Sequence, residues 1–138
     1  DLRLSRSGAR AAMLVDDGQR TTLRVSGVVR GSDGVPNALT EPILLPSSGS
    51  EDSVEWAGDT NLLVSAYAEK PDERVVPRIV SIDGTVRELN PLGGLRGISA
   101  GDDGAYYAET EEFVFLLVGS SWRAQELDRG VRDLSFPD

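Results

Sequence analysis

The chain has 138 residues, no cysteine, no histidine, and 23 acids against 14 bases, a net charge of −9. Without Cys there is no disulfide framework, thiolate metal site or thiol nucleophile, and without His the imidazole-based triads are excluded. So negative a surface repels phosphate backbones, and the arginines are scattered from Arg3 to Arg132 rather than clustered, which argues against nucleic acid.

The chain opens at Asp1-Leu2-Arg3 with no basic region leading into an apolar one, as expected of a trimmed mature chain or an excised piece. No apolar run reaches the roughly 20 residues of a membrane helix. The longest, Ala11–Val15 and Phe113–Val118, are of strand length. Fifteen Gly and seven Pro punctuate short apolar stretches throughout. In order, the predicted strands are Leu2–Ser5, Arg10–Val15, Thr22–Arg30, Pro42–Leu45, Val54–Ala57 and Leu62–Ala68. Val75–Ile82, Val86–Leu89, Gly97–Ala100, Ala105–Glu109, Phe113–Val118, Trp122–Leu127 and Val131–Phe136 follow. Alternation supports several: Leu23, Val25 and Val29 share a face opposite Thr22, Arg24, Ser26 and Arg30. Pro77 belongs at a bulge or an edge. No long segment has a 3.6-residue period with caps, so almost no helix is expected.

The connections read as hairpin turns. Asp16-Asp17-Gly18, Ser32-Asp33-Gly34, Asp83-Gly84 and Asp102-Asp103-Gly104 place Asp before Gly, where positive φ is needed. Four times a strand ends in a large apolar residue followed by Ser or Ala: Leu4-Ser5, Trp56-Ala57, Ile98-Ser99 and Leu134-Ser135. These pairs recur at spacings of 52, 42 and 36 residues. Periods of roughly 40 to 50 residues are those of four-stranded propeller blades. The expected fold is therefore all-β. It comprises three four-stranded antiparallel blades (about 1–48, 49–91 and 92–128), a terminal strand at 130–138, and a place in a larger propeller. A β-sandwich of the same hairpins is the alternative. Three blades do not close a ring, so either further blades or self-association through exposed blade edges is expected.

No catalytic, metal or cofactor residue is assigned. Asp16, Asp17, Asp59, Asp102 and Asp103 carry suitable oxygens, but none lies in a Ca²⁺-loop spacing, and an Asp beside Gly caps its own turn. Gly93-Gly94 precedes no helix that could bind phosphate, and Gly119-Ser120-Ser121 is a turn. Among the aromatics, Trp56 is expected in the core beside Leu63, as are Phe113 and Phe115. Tyr106 and Tyr107 point opposite ways, and Trp122 is the best candidate for an exposed anchor, with packing the preferred alternative. Candidate binding residues are thus Trp122, Tyr106 and Tyr107. Glycoside chemistry needs two carboxylates about 5–9.5 Å apart beside aromatic platforms. Glu109, Glu111 and Glu112 form one acidic cluster at a turn, and Glu51 with Asp52 another. A glycan-binding or glycan-hydrolysing propeller would place Tyr106, Tyr107 or Trp122 in a groove beside Glu109–Glu112.

The opening Leu-Arg-Leu-Ser-Arg-Ser-Gly-Ala-Arg-Ala-Ala-Met-Leu-Val-Asp-Asp (Leu2–Asp17) resembles a blade of the propeller domain of LpqB-type actinobacterial lipoproteins. The similarity continues through Thr22–Thr40, Val54-Glu-Trp-Ala-Gly-Asp-Thr-Asn-Leu-Leu-Val and Val80-Ser-Ile-Asp-Gly to Phe136-Pro137. The order and spacing of these motifs carry it. The resemblance implies a non-enzymatic module of an extracytoplasmic lipoprotein, anchored to the cell membrane through an upstream lipid. As partners it implies the upstream domains of the same lipoprotein and the extracytoplasmic domain of an MtrB-like sensor histidine kinase of the MtrAB two-component system.

Overall fold

The computed structural model describes residues 2–101 and 104–125. They form fifteen strands and no helix. These are β1 (Leu2–Leu4), β2 (Arg10–Asp16), β3 (Thr21–Arg30), β4 (Pro36–Leu39), β5 (Ile43–Leu45), β6 (Ser53–Ala57), β7 (Asn61–Ser65) and β8 (Arg74–Val75). The rest are β9 (Arg78–Ser81), β10 (Val86–Glu88), β11 (Leu92–Gly93), β12 (Gly97–Ala100), β13 (Tyr106–Glu109), β14 (Val114–Val118) and β15 (Ser121–Ala124). All pairings are antiparallel.

Three meanders follow the order of the chain. The first runs β1-β2-β3, with β4 and β5 on the outer edge of β3; the second is β6-β7-β9-β10 and the third β12-β13-β14-β15. β4 and β5 are one outer strand broken at Glu41-Pro42: Leu39 pairs with Val28 and Ile43 with Val25, a one-residue change of register. Proline has no N–H for the ladder, so the break falls there. The sequence reading had placed only the second half of this strand.

The Val75–Ile82 segment is not one strand. It divides at Val76-Pro77 into β8 and β9; β8 turns away to pair with β11, a short strand not foreseen, while β9 stays between β7 and β10. Buried Pro77 keeps a structural role through its carbonyl, which accepts the Leu89 N–H at 2.9 Å. The expected strand Val131–Phe136 and the repeat at Leu134-Ser135 lie outside the described residues.

Packing distinguishes propeller from sandwich. Successive residues of β7 face opposite ways. Leu62 and Val64, with Val54, Trp56 and Val80, pack on Ala12, Leu14, Leu23, Val25 and Leu45 of the first sheet. Leu63, on the other face, packs with Val75, Leu89, Leu92 and Leu95 against Ile98 and Ala108 of the third. The middle sheet is thus buried on both faces, one against each neighbour, which is blade stacking. Its first strand, β6, lies between β1 and β12, so the first strand of each blade is the innermost. Trp56 is in the first core, as expected, although its cross-strand partner is Leu62 rather than Leu63.

The described residues are therefore an arc of three propeller blades, not a closed ring. On blade 1, the face turned away from blade 2 leaves Leu2, Leu4 and Leu44 more than half exposed.

Candidate functional site

Antiparallel pairing gathers several connections at one end of the blades. They are the 46–52 crossover, the 66–73 segment after β7, the 89–96 crossover and the 110–113 turn between β13 and β14. The last three enclose a cleft of about 500 Å³ between blades 2 and 3.

Local hydrogen bonds fix each wall. In the 66–73 segment the Glu73 carboxylate accepts the Glu69 N–H at 3.1 Å, and the Glu73 N–H reaches the Lys70 carbonyl at 3.0 Å. The Ala68 N–H donates to Leu95 O and the Gly94 N–H to Glu73 O, both at 2.8 Å, tying this wall to the crossover. Gly94 has φ +71°, and a Cβ there would lie 2.7 Å from Pro71 O, so only glycine fits. On the blade 3 wall, Thr110 Oγ1 accepts the Phe113 N–H at 3.2 Å.

The cleft has an apolar base and a charged rim. Leu92 is buried, and the Phe115 ring packs on the second core. Phe113 stands over Phe115, ring centroids 5.8 Å apart and planes tilted by 59°, yet is 49% exposed. Lys70 and Arg96 bring positive charge without a salt bridge among the described residues, opposite Glu111 and Glu112. An exposed aromatic over a fixed apolar base, rimmed by both signs of charge, is the composition of a contact surface.

With the stacked blades and this end face established, the family can be assigned, because the family model of the lipoprotein LpqB β-propeller domain matches residues 1–137. The chain belongs to that family. No curated protein and no solved structure matches it.

In this LpqB propeller domain the sequence-predicted binding residues are not brought together at the acidic turn. Tyr106 begins β13 opposite Ala100, at the far end of the strand from Glu109. Its ring packs on the second core, and burial raises its pKa above 10.0. It also edges a separate cavity of about 320 Å³ with Asn61, Ser81, Thr85 and Arg87. Tyr107 lies on the opposite face of blade 3, paired with Ser99 and Leu116. Trp122 takes the packing alternative: it is half-buried against the second core, and its indole N–H donates to Asn90 O at 3.0 Å. The groove expected beside Glu109–Glu112 does form at Glu111 and Glu112, but its ring is Phe113.

Phe113, expected in the core with Phe115, is instead half-exposed. It lies one residue before β14, where the chain enters the Thr110 turn, and that turns it outward. Lys70 and Arg96 carried no sequence signal beyond the charge run Glu69-Lys70-Pro71-Asp72-Glu73 around the only lysine.

The acidic turns of this LpqB propeller cap themselves. Asp16 Oδ1 accepts the Gly18 N–H; Asp17 Oδ1 accepts those of Gln19 and Arg20, all at 2.9 Å. The bonds from Arg20 and Gln19 hold the Asp17 carboxyl below its ordinary value. Asp83 does the same for Thr85. Asp59 instead joins two blades: Ser7 donates to Asp59 Oδ1 through its hydroxyl at 2.6 Å and its N–H at 3.2 Å, lowering the Asp59 pKa. Among the described residues no three acids are grouped to hold a metal ion, and no helix is long and apolar enough to cross a membrane. Asp102 and Asp103 lie outside those residues.

Proposed function

We propose that this chain is a non-enzymatic contact module of an extracytoplasmic, lipid-anchored lipoprotein. Its partner in this reading is the extracytoplasmic domain of an MtrB-like sensor histidine kinase. Membership of a lipoprotein propeller family supports the setting. The observation that carries the contact role is Phe113, a half-exposed ring held over Phe115 at a cleft rimmed by Lys70, Arg96, Glu111 and Glu112. Aromatic anchors surrounded by polar rims dominate protein contacts. The apolar face of Leu2, Leu4 and Leu44 supports the stacking of a further blade, or of the lipoprotein's other domains, on blade 1.

Titrating the chain into the kinase's outer domain tests the reading. Binding weakened at least tenfold by Phe113→Ser, with the melting temperature unchanged, is expected; no binding at high micromolar concentration overturns it. A second reading, a glycan-binding or glycan-hydrolysing propeller, is favoured by Glu111 and Glu112 opening into the same cleft beside Phe113. It requires saturable binding or cleavage of cell-wall polysaccharide, lost in Glu111→Gln or Glu112→Gln.

A further inference from the structure

A second cavity, of about 260 Å³, lies at the same end of the blades, between the 46–52 crossover and the segment entering β8. It has two kinds of wall. Val64, Val75 and Val76 form an apolar side, while Ser48, Ser50 and Ser65 bring hydroxyl groups and Glu51 and Glu73 carboxylates.

Glu51 is the unusual residue. It is 5% exposed, the only buried charged side chain among the described residues. One carboxylate oxygen, Oε1, accepts the Ser48 N–H, while Oε2 is buried with no hydrogen-bond partner. Withdrawing a carboxylate oxygen from water without a partner is costly, so a native group of this kind implies something that completes it. The cation that lines the cavity is otherwise engaged: Arg78 Nη2 lies 3.7 Å from Glu88 Oε2 on β10. Glu73 already holds the Glu69 N–H on one oxygen. The cavity thus has two carboxylates facing one cation, and that cation is drawn outward.

We propose that this cavity receives a primary ammonium on an alkyl stem, a lysine side chain of the docked protein. The methylenes lie along Val64, Val75 and Val76, and the three N–H bonds of the ammonium reach Glu51 Oε2, Glu73 and the Ser50 hydroxyl. A metal ion would leave the apolar wall unused, whereas a lysine uses both halves of the cavity. The proposal deepens the contact reading above and rests on it for the source of the lysine; the chemistry of the cavity stands by itself.

The test uses n-butylammonium as the probe, titrated into the 138-residue chain while the amide NMR shifts of Ser48, Ser50 and Ser65 are followed. Saturable shifts with a dissociation constant in the millimolar range are expected, as suits about five heavy atoms. Binding should fall at least tenfold in Glu51→Gln and several-fold in the exposed Ser50→Ala, which keeps the test open if Glu51→Gln does not fold. Uncharged 1-butanol and sodium chloride at equal ionic strength should give no saturable shift. No saturation by butylammonium, equal binding of butanol, or equal response to sodium overturns the proposal. Failure here with kinase binding intact removes the lysine pocket and leaves the contact function standing; loss of kinase binding alone does the reverse.

Discussion

The indole N–H of Trp56 donates to the backbone carbonyl of Arg3 at 2.8 Å, joining the innermost strand of blade 2 to that of blade 1. The two residues are 53 apart in sequence. The ring lies in the first interblade core, so one side chain supplies both apolar packing and an edge contact. Trp56→Phe removes the donor and keeps most of the ring; about 1 kcal/mol of stability should be lost. Trp56→Ala should cost about 3–5 kcal/mol. Chemical denaturation of both variants separates the two contributions.

Leu62 and Leu63 are adjacent, fully buried, and belong to different cores. Leu62→Ala and Leu63→Ala should each cost about 2–5 kcal/mol, and the double variant should lose nearly the sum, since the cavities share no lining. A strongly sub-additive double variant in urea unfolding would mean a single shared core and would contradict blade stacking.

The Ser7–Asp59 contact gives blade pairing a pH dependence. Because the folded pKa of Asp59 is depressed, its contribution is present above the ordinary 3.8 and is lost as pH falls through the lowered value. Ser7→Ala should return the carboxyl toward 3.8 and shrink the part of the acid-induced destabilisation that arises below it. A carboxyl NMR titration of Asp59 reads the shift directly, and an unchanged pKa in the variant would show that Ser7 is not its cause.

Gly94 and Gly18 both have positive φ, but only Gly94 meets backbone across the space a Cβ would fill. Gly18→Ala should therefore cost only the left-handed penalty of about 1–2 kcal/mol. Gly94→Ala should cost more, and it should also move the 66–73 segment that walls the cleft, through Pro71. Amide shifts at Ala68 to Glu73 and the melting temperature together check this. Equal effects of the two substitutions would count against the close approach.

Much of this architecture was legible in the residues because its causes are local. Alternation along β3, Asp-Gly turns that cap themselves, and the Leu4, Trp56 and Ile98 recurrence each act within a few residues, so strand order and blade pattern follow from the sequence. At two places a distant partner decides the outcome. β8 leaves the expected Val75–Ile82 strand because β11 offers it another ladder. At Trp122, packing prevails over exposure because Asn90, on the crossover from blade 2, accepts its indole N–H.

From the residues alone follow an all-β chain of short strands, a recurrence suited to propeller blades, and the lack of the thiol and imidazole groups that many active sites need. Only the tertiary structure decided which residues became a surface. Phe113 and Phe115 are two residues apart and alike in composition, yet one lies over the core and the other reaches solvent, because the Thr110 turn ends before β14 begins. Glu51 reads as one acid of an ordinary pair with Asp52 until the 46–52 crossover folds against the end of blade 2, where it is withdrawn from water and Oε2 is left without a partner. Strand alternation encodes neither outcome: the first depends on where a turn hands over to a strand, the second on what the fold brings alongside.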